Sequence, residues 1–369
     1  MATAKSSMPA ACVAGVLFLA SAARAQQTPP PHHDMAHMQH EHSGGFMGEG
    51  MHHGVAKGVK LEQKVDAATH TITLRVGPLT LPANTDHMKM PQPADLVWSV
   101  PINGWLLAYT PQMIDSNGNS VPGRVLHHTA FWNTSRSDFL CPNKEEHIFG
   151  AGSELTKWME IPGYGYRVQK GDKIRIETMV HNPTATSYKQ AYLEVKIPYA
   201  QAPESGATTT STPTIKSVYP TWMDVQSCGS SSYDLKAGEN KNSGTVAVKY
   251  DGILLGVGGH MHDYAKQLVL EDVTKKETVV TLDAKTDEKG ELLSMPVVTF
   301  FDRGGYKFGA GDQLRITAAY ENISGKPLPK GAMGIVVGYF VPTNDSLMSA
   351  LRRKPKPAPR QVAAATRDQ

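Results

Sequence analysis

The segment GVGGHMHDYAKQLVLE, residues 256–271, contains two histidines separated by one residue. On a β-strand, residues i and i+2 point to the same side, so the imidazoles of His260 and His262 could bind one metal ion. A His-x-His pair also occurs on protein surfaces and in cores without any metal. The pair therefore predicts a metal site only if other ligand-type residues accompany it.

Three more histidines and a methionine stand in similar segments. His127 and His128 are adjacent in GRVLHHTAFWN, and His181 follows IRIETMV. Adjacent residues on a regular strand point to opposite faces, so His127 and His128 can share an ion only where the backbone twists or bulges. Met333, in KGAMGIVVGYF, is a core residue or a ligand. His127, His128 and His181 form one set, and His260, His262 and Met333 form a second. Because neutral imidazole binds Cu(II) and thioether favours Cu(I), these two sets predict copper sites.

The order of these motifs resembles the copper type II, ascorbate-dependent monooxygenases, the family of peptidylglycine α-hydroxylating monooxygenase and dopamine β-hydroxylase. The similarity extends over about residues 70–342. It implies an all-β enzyme with two coppers per chain, reduced by ascorbate or another one-electron donor, that hydroxylates a C–H bond. It also implies two ligand sets, one for an electron-delivering copper and one for an oxygen-binding copper: His127, His128 and His181, and then His260, His262 and Met333.

The residues that would contact substrate depart from the family pattern. In the peptide hydroxylase an arginine, an asparagine and a tyrosine bind a substrate carboxylate, and Gly258, Ile335 and Val337 stand at the matching positions here. Because these side chains cannot neutralise a buried carboxylate, we expect a small, neutral, largely apolar substrate. Arg303 is the nearest cation in the sequence that could change this expectation.

Other metal-dependent classes fit the sequence less well. A cupin needs a glutamate four or five residues after the second histidine, where this chain has Lys266 and Gln267. The hydrolase motif His-x-His-x-Asp-His needs a different spacing, because Asp263 follows directly. A non-catalytic copper protein for storage, delivery or sensing remains the alternative. In either case Asp263 and Asn182, next to candidate ligands, are candidate hydrogen-bond partners of the ligating imidazoles.

The elements that must position these residues are predicted to be strands. Short segments rich in Val, Ile, Thr and aromatic residues, separated by Gly, Pro, Asn and Asp, fill the chain from about residue 59. No long segment has a helical period. We therefore predict an all-β fold of two tandem antiparallel β-sandwich (jelly-roll-like) domains, 59–199 and 215–343, joined by a linker at 200–214.

The two ends of the chain differ from the middle in composition. Residues 1–25 are typical of a secretory signal, with a retained membrane anchor as the alternative. Residues 26–58 contain seven histidines and four methionines and predict a disordered arm that collects copper, with a neutral polar spacer as the alternative. Residues 344–369 form a basic Pro/Ala-rich tail.

Charge and cysteine content indicate an exported protein. The chain has 37 Lys and Arg against 34 Asp and Glu, and removal of Lys5 and Arg24 with the signal leaves 35 against 34. This balance favours no nucleic-acid partner, and we expect a periplasmic or secreted protein with no stable membrane anchor after cleavage. Cys141 and Cys228 then either form one disulfide or remain two buried thiols.

Overall fold

A computed structural model of the chain describes residues 54–203, 215–228, 232–346 and 351. The predicted signal at 1–25 lies outside these residues, as do most of the predicted arm, linker and tail. The fold begins slightly earlier than the sequence suggests. Residues 54–58 were assigned to the arm, but the Ala56 amide donates to the Gln92 carbonyl at 2.8 Å and the Gln92 amide donates to Gly54 at 3.2 Å.

The first half of the chain is built from strands in which buried and more exposed residues alternate. In the second strand, Ile72, Leu74 and Val76 point inward, with polar residues between them, as the twofold period of a strand requires. The ten strands are β1 (Lys60–Asp66), β2 (Thr71–Leu81), β3 (Leu96–Ser99), β4 (Gly104–Leu106), β5 (Thr110–Asp115), β6 (Leu126–Ser137), β7 (Glu145–Gly152), β8 (Tyr164–Val168), β9 (Lys173–Val180) and β10 (Tyr188–Gln201).

These strands form two sheets that share one core. The larger has the order β1-β2-β10-β4-β8, with β5 also paired to β10, and the smaller is the antiparallel sheet β3-β9-β6-β7. Leu74 and Leu193 from the larger sheet and Trp98, Phe131 and Ile174 from the smaller one belong to a single buried cluster. The arrangement is a β-sandwich, with apolar faces turned toward each other.

The second half repeats this plan with shorter strands. They are β11 (Lys216–Ser217), β12 (Tyr219–Asp224), β13 (Ser232–Leu235), β14 (Gly238–Ala247), β15 (Gly252–His260), β16 (Ala265–Asp272), β17 (Glu277–Asp283), β18 (Lys285–Thr286), β19 (Leu292–Ser294), β20 (Val297–Thr299), β21 (Tyr306–Phe308), β22 (Gln313–Asn322), β23 (Leu328–Met333) and β24 (Ile335–Pro342).

Two sheets again face each other across a core. One has the order β12-β24-β15-β20, with β21 beside β15, and the other is β14-β22-β16-β17. Leu254 and Phe340 from the first and Leu268 and Ile316 from the second share a buried cluster. Strand β13 pairs with β23 and β18 pairs with β19, while β11 joins the larger sheet of the first half by pairing in parallel with β8.

The same turn follows the corresponding strand in each half. Asn182 follows β9, and its side-chain amide donates to the carbonyls of Leu81 and Thr186 at 2.9 and 2.8 Å. Asn322 ends β22, and its amide donates to the carbonyls of Lys236 and Lys326 at 3.0 and 2.8 Å. The repeated hydrogen bonds show that the two halves are built on one plan.

The halves are joined by packing and by a covalent bond. Strand β7 packs beside β12, and the Trp222 ring lies 4.0 Å from the His147 ring, centroid to centroid. Cys141 and Cys228 form a disulfide with a Cα–Cα distance of 5.5 Å, and Cys141 is buried in the core of the second half. All the described residues belong to one compact unit, and the division into two domains stays a prediction.

The all-β prediction of antiparallel sandwiches is confirmed. Of the two alternatives left open for Cys141 and Cys228, the structure has the disulfide. Within the described ranges the 3-10 turns include His87–Lys89, Gly123–Val125 and Phe301–Arg303, and no α-helix occurs there. None of the helices in this part of the chain is long and apolar enough to cross a bilayer.

Candidate metal centre

His127 and His128 lie at the start of β6, where the pairing with β9 is irregular. The register shifts between Leu126, which faces Val180, and His128, which faces Met179. The extra residue is His127, so the strand bulges at the histidine pair. The two rings lie 4.9 Å apart, centroid to centroid, with an interplanar angle of 39°. The structure therefore provides the local distortion that adjacent histidines need in order to face one site.

His181 stands directly after β9 and joins this pair. Its backbone amide donates to the Val125 carbonyl at 3.1 Å, which places the residue beside the entrance to β6. Its ring lies 5.1 Å from that of His127. The three histidines predicted for the first set are thus gathered by two neighbouring strands of one sheet.

A further histidine, His87, belongs to the same cluster and was not predicted. Its ring stacks on that of His127, with centroids 4.6 Å apart and planes 10° apart. His87 lies in a 3-10 turn that is capped by Asp86, whose carboxylate accepts from the Met88 amide at 2.9 Å. The segment DHMKMP, with a histidine beside two methionines, is the sequence signal that could have drawn attention to it.

A buried glutamine attaches the His87 turn to the strand that leads to His181. The Gln92 side-chain amide donates to the carbonyls of His87 and Val180, at 2.9 and 3.0 Å, and its oxygen accepts from the Val180 amide at 2.8 Å. Thr85 and Asn182 also exchange two backbone hydrogen bonds of 2.8 Å. Backbone and side-chain hydrogen bonds therefore hold the turn that carries His87 in place.

In the second half, His260 ends β15 and His262 lies just beyond it. Met261, between them, is buried in the core, so the two histidines remain on the opposite side, as the i and i+2 relation predicts. Their rings are 5.5 Å apart with an interplanar angle of 81°.

The structure brings histidines of both predicted sets to one place. The His127 and His262 rings lie 5.2 Å apart. The potential ligand atoms of His127, His128 and His262 all lie within 4.8 Å of one another, which makes them the candidate metal-binding group found among the described residues. The start of β6 and the end of β15 lie next to each other. The six histidines, which come from both halves of the chain, therefore lie in one place.

Met333, the predicted sulfur ligand, ends β23 and lines the same cavity as the histidines. Its backbone amide donates to the Tyr320 hydroxyl at 3.1 Å, and this hydroxyl donates in turn to the Met333 carbonyl. The backbone amide of His262 also donates to the Tyr320 hydroxyl, at 3.0 Å. Tyr320, a residue that the sequence analysis missed, thus holds the backbones of two candidate ligands together.

Burial keeps several of the clustered imidazoles neutral. Together with the smaller effect of neighbouring imidazoles, it lowers the pKa of His181 to about 4 and that of His262 to about 3. Burial likewise lowers the pKa of His127 and His128 well below the ordinary value. Neutral imidazole offers a nitrogen lone pair to a metal, whereas the protonated ring does not.

The histidines line a cavity of about 770 Å³. Met179, Met261 and Met333 are among the lining residues, and they are 6%, 1% and 3% exposed. The charged lining residues, such as Asp86, Asp234 and Lys330, are exposed. The buried part of the lining is therefore made of imidazoles and apolar residues, and the charged residues lie where they reach solvent.

The positions compared with the peptide hydroxylase do not line this cavity. Gly258 packs under Trp158, whose Cζ2 lies 3.2 Å from the place a Cβ would take, so a side chain there would press on the Trp158 ring. Ile335 is fully buried in a cluster with two tryptophans, Val337 packs against the same cluster, and Arg303 lies over the Phe300 ring at 4.7 Å. Other residues therefore form the wall of the cavity.

The hydrogen-bond partners expected from sequence adjacency are used elsewhere. The Asn182 side chain donates to the carbonyls of Leu81 and Thr186, and Asp263 accepts from the Leu292 amide at 2.9 Å. Instead, the Nδ1 atom of His260 lies 3.3 Å from a carboxylate oxygen of Glu154, a residue of the first half. Adjacency fails as a guide because side chains close in sequence along a strand point to different faces.

No protein-family model and no curated protein matches this sequence. Similar solved structures include PNGF-II, at 8% identity and a TM-score of 0.35, covering 73% of this chain and 66% of that one. A second is the major capsid protein P2 of bacteriophage PM2, at 8% identity and a TM-score of 0.31, covering 72% of this chain and 97% of that one. A third is the mavirus major capsid protein, at 8% identity and a TM-score of 0.23, covering 85% of this chain and 93% of that one. Likeness at this level carries no conclusion about function.

Proposed function

We propose that this protein is an exported copper-dependent monooxygenase that hydroxylates a C–H bond of a small molecule. One observation carries the proposal. The five histidines and the methionine that the sequence motifs single out line one cavity, and three of these imidazoles lie within 4.8 Å of one another. Residues spread over more than half of the sequence meet there, as a metal site requires.

The donor set fits copper better than other common metals. Calcium and magnesium prefer oxygen ligands, whereas imidazole and thioether suit copper in both oxidation states. Within the described part of the chain, the Nε2 atoms of His181 and His262 are buried and have no hydrogen-bond partner. Because a buried polar atom without a partner costs free energy, these nitrogens suit a bound ion. We propose two coppers per chain, held by His127, His128, His181, His260, His262 and Met333.

When bound, copper would supply one-electron redox chemistry and the activation of dioxygen, with electrons from ascorbate or another one-electron donor. The neutral imidazoles would hold the ion, and the Met333 sulfur would favour its reduced form. The buried, methionine-containing lining would admit a small, neutral, largely apolar substrate and keep water away from the reacting C–H group. The exposed acidic residues would contact only the outer part of a bound molecule.

A non-catalytic copper-binding protein is the second candidate. The four methionines and six histidines around one cavity favour it, because storage and delivery also need soft donors. The disulfide suits an oxidising compartment outside the cytoplasm in either case. The two candidates differ in whether copper binding is coupled to turnover of an organic substrate.

Copper titration of a chain that starts at residue 54 tests the binding step, because it leaves out the histidines of residues 26–53. We expect two coppers per chain, and His181→Ala and His262→Ala should each lower the stoichiometry or the affinity. The control is His70→Ala, which changes an exposed histidine outside the cavity. A protein that binds no copper would contradict both candidate functions.

Hydroxylation with isotopically labelled dioxygen tests the chemistry. The copper-loaded protein, supplied with ascorbate, should transfer labelled oxygen to a neutral aliphatic or aromatic compound from a panel, and should leave a glycine-extended peptide unchanged. Tight copper binding without labelled product from any compound would favour the storage or delivery function. Hydroxylation of the peptide would contradict the proposed substrate class.

A further inference from the structure

Glu154 stands beside His260 although it belongs to the other half of the chain. It follows β7, two residues after Gly152, the residue that pairs with His128 across the sheet. Its Oε1 atom lies 3.3 Å from Nδ1 of His260, which is 106 residues away in sequence. A carboxylate that contacts one ring nitrogen of a metal-binding histidine commonly fixes which nitrogen is left for the metal.

The pair is enclosed by the fold. The Glu154 side chain is 2% exposed and the His260 side chain is 14% exposed. The Gly152 backbone amide donates to Oε1 of Glu154 at 2.9 Å, which fixes the carboxylate in place. A buried carboxylate costs free energy unless it is paired, so its position here needs an explanation.

Gly152 leaves the space that the pair occupies. A Cβ at this position would lie 2.5 Å from Oε2 of Glu154 and 2.8 Å from Cε1 of His260, closer than van der Waals contact allows. Its backbone does not have the positive φ that would by itself require glycine. Glycine at position 152 therefore leaves room for the Glu154 carboxylate to approach the His260 imidazole.

We propose that Glu154 is a positioning residue that accepts a hydrogen bond from Nδ1 of His260 and thereby directs Nε2 of this histidine to the metal. The proposal rests on the proposed copper site and deepens it. The hydrogen bond also has a structural consequence, because a residue next to the His128 strand of the first half orients a ligand of the second half. The two halves then share the ligands and also the groups that orient them.

The metal-free, intact chain gives the first test, because the tautomer of His260 exists without copper. The nitrogen chemical shifts of this imidazole, identified by their loss in His260→Ala, should show a proton on Nδ1. Glu154→Leu removes the acceptor, and the ring should then populate both tautomers. Glu154→Gln retains an acceptor oxygen and should preserve the Nδ1 tautomer. The control is Glu160→Leu, a change at an exposed glutamate in the segment that follows.

Titration of the same proteins with Cu(II) gives the second test. Glu154→Leu should weaken binding by about ten- to a hundredfold, as is usual when the partner of a ligating histidine is removed. Glu154→Gln should retain affinity within a few fold of the parent. A proton on Nε2 in the parent protein, or an unchanged tautomer and unchanged affinity in Glu154→Leu, would overturn the proposal. If the parent shows the Nδ1 tautomer but binds no copper, the copper function fails and the role of Glu154 in orienting His260 stands.

Discussion

Burial and the neighbouring imidazoles together lower the pKa of four imidazoles of the cluster, those of His127, His128, His181 and His262. Protonation of one of these rings would place a positive charge in a buried site beside other imidazoles, so the folded protein resists it. The pKa of His181 is about 4 and that of His262 about 3, well below the ordinary histidine value of 6.5. A site that stays neutral in mildly acidic solution retains its lone pairs for a metal.

These shifts predict an acid-sensitive stability of the metal-free protein. The unfolded chain takes up protons at His181 and His262 as the pH falls through 6.5, but the folded chain does so only near pH 4 and pH 3. The unfolded state thus binds more protons in this window, and the free energy of unfolding should fall as the pH falls. Urea denaturation at about pH 7 and about pH 4.5 measures the effect.

The control for this experiment is a variant with both His181→Gln and His262→Gln. Other groups titrate in the same range, and the control retains them. Its stability should therefore fall less between the two pH values than that of the parent. An equal fall in both proteins would contradict the assigned cause.

His87 shows what residue types alone can and cannot reveal. The five other histidines were found because they form ordered motifs on strands, and all of them line the cavity. His87 lies in a short turn without periodicity, and Glu154 is 106 residues from the histidine it contacts. Their roles depend on how distant segments meet, which spacing along the chain does not contain.

We predict that His87→Ala lowers copper affinity by about tenfold, because a further imidazole beside His127 is removed. Its stacking distance of 4.6 Å places it within reach of the same cluster. Isothermal titration with Cu(II) measures the change, with His70→Ala as the matched control. Equal affinities of the two variants would show that His87 packs on the cluster without contributing a ligand.

At the scale of elements, the cavity is made by strand ends. The bulge at the start of β6, the end of β9, the end of β15 and the end of β23 each present a candidate ligand, while the middles of these strands supply the cores. Strand middles are held on both sides by the ladder, whereas ends can turn their side chains toward a common point. This division explains why His181, His260 and Met333 adjoin Asn182, Gly259 and Gly334 in the sequence.

The same scale shows where strand prediction worked. Alternation in the segment ATHTITLRVG is typical of a strand, and the structure has β2 there, with one face buried. The segment GWLLAYTPQMI also has the composition of a single strand, but the structure divides it into β4 and β5. Between them Tyr109 exchanges two backbone hydrogen bonds of 3.0 Å with Trp158, so a long-range contact interrupts the strand.

The Tyr320 hydroxyl holds the backbones of His262 and Met333 together, so Tyr320→Phe should destabilise the folded protein. The change leaves the amides of His262 and Met333 without their acceptor, and the free energy of unfolding should fall by about 1–3 kcal/mol. The control is Tyr109→Phe, because the Tyr109 hydroxyl is buried and has no hydrogen-bond partner in the described ranges. Chemical denaturation compares them, and an equal loss in both variants would contradict the anchoring role.

At the scale of the whole molecule, two cores and a cross-link hold the halves together. The first core draws on strands up to residue 218 and on Leu255 and Tyr339, and the second includes Phe139 and Leu140 of the first half. Each half thus buries a few side chains of the other. The repeated Asn182 and Asn322 turns indicate a shared plan that the sequence analysis did not detect, since the surrounding residues differ.

We predict that changing both Cys141 and Cys228 to serine destabilises the protein by about 2–4 kcal/mol. The disulfide closes a loop with a sequence separation of 87, and a loop of that size restricts the unfolded chain. Denaturant unfolding of the variant and the parent, both metal-free, measures the difference. Equal stability would show that noncovalent packing between the halves is sufficient without the disulfide.

The disulfide joins Cys141 and Cys228, neither of which lines the histidine cavity. Backbone ladders and buried side chains hold the strands that carry the histidines. Under the proposed copper function, we therefore expect folding and cross-linking to precede metal loading. A small metal-dependent domain such as a zinc finger folds only when its metal binds, and it unfolds when a chelator removes the ion. If copper binds as proposed, we expect a chelator to remove it without unfolding this protein, which could then bind copper again.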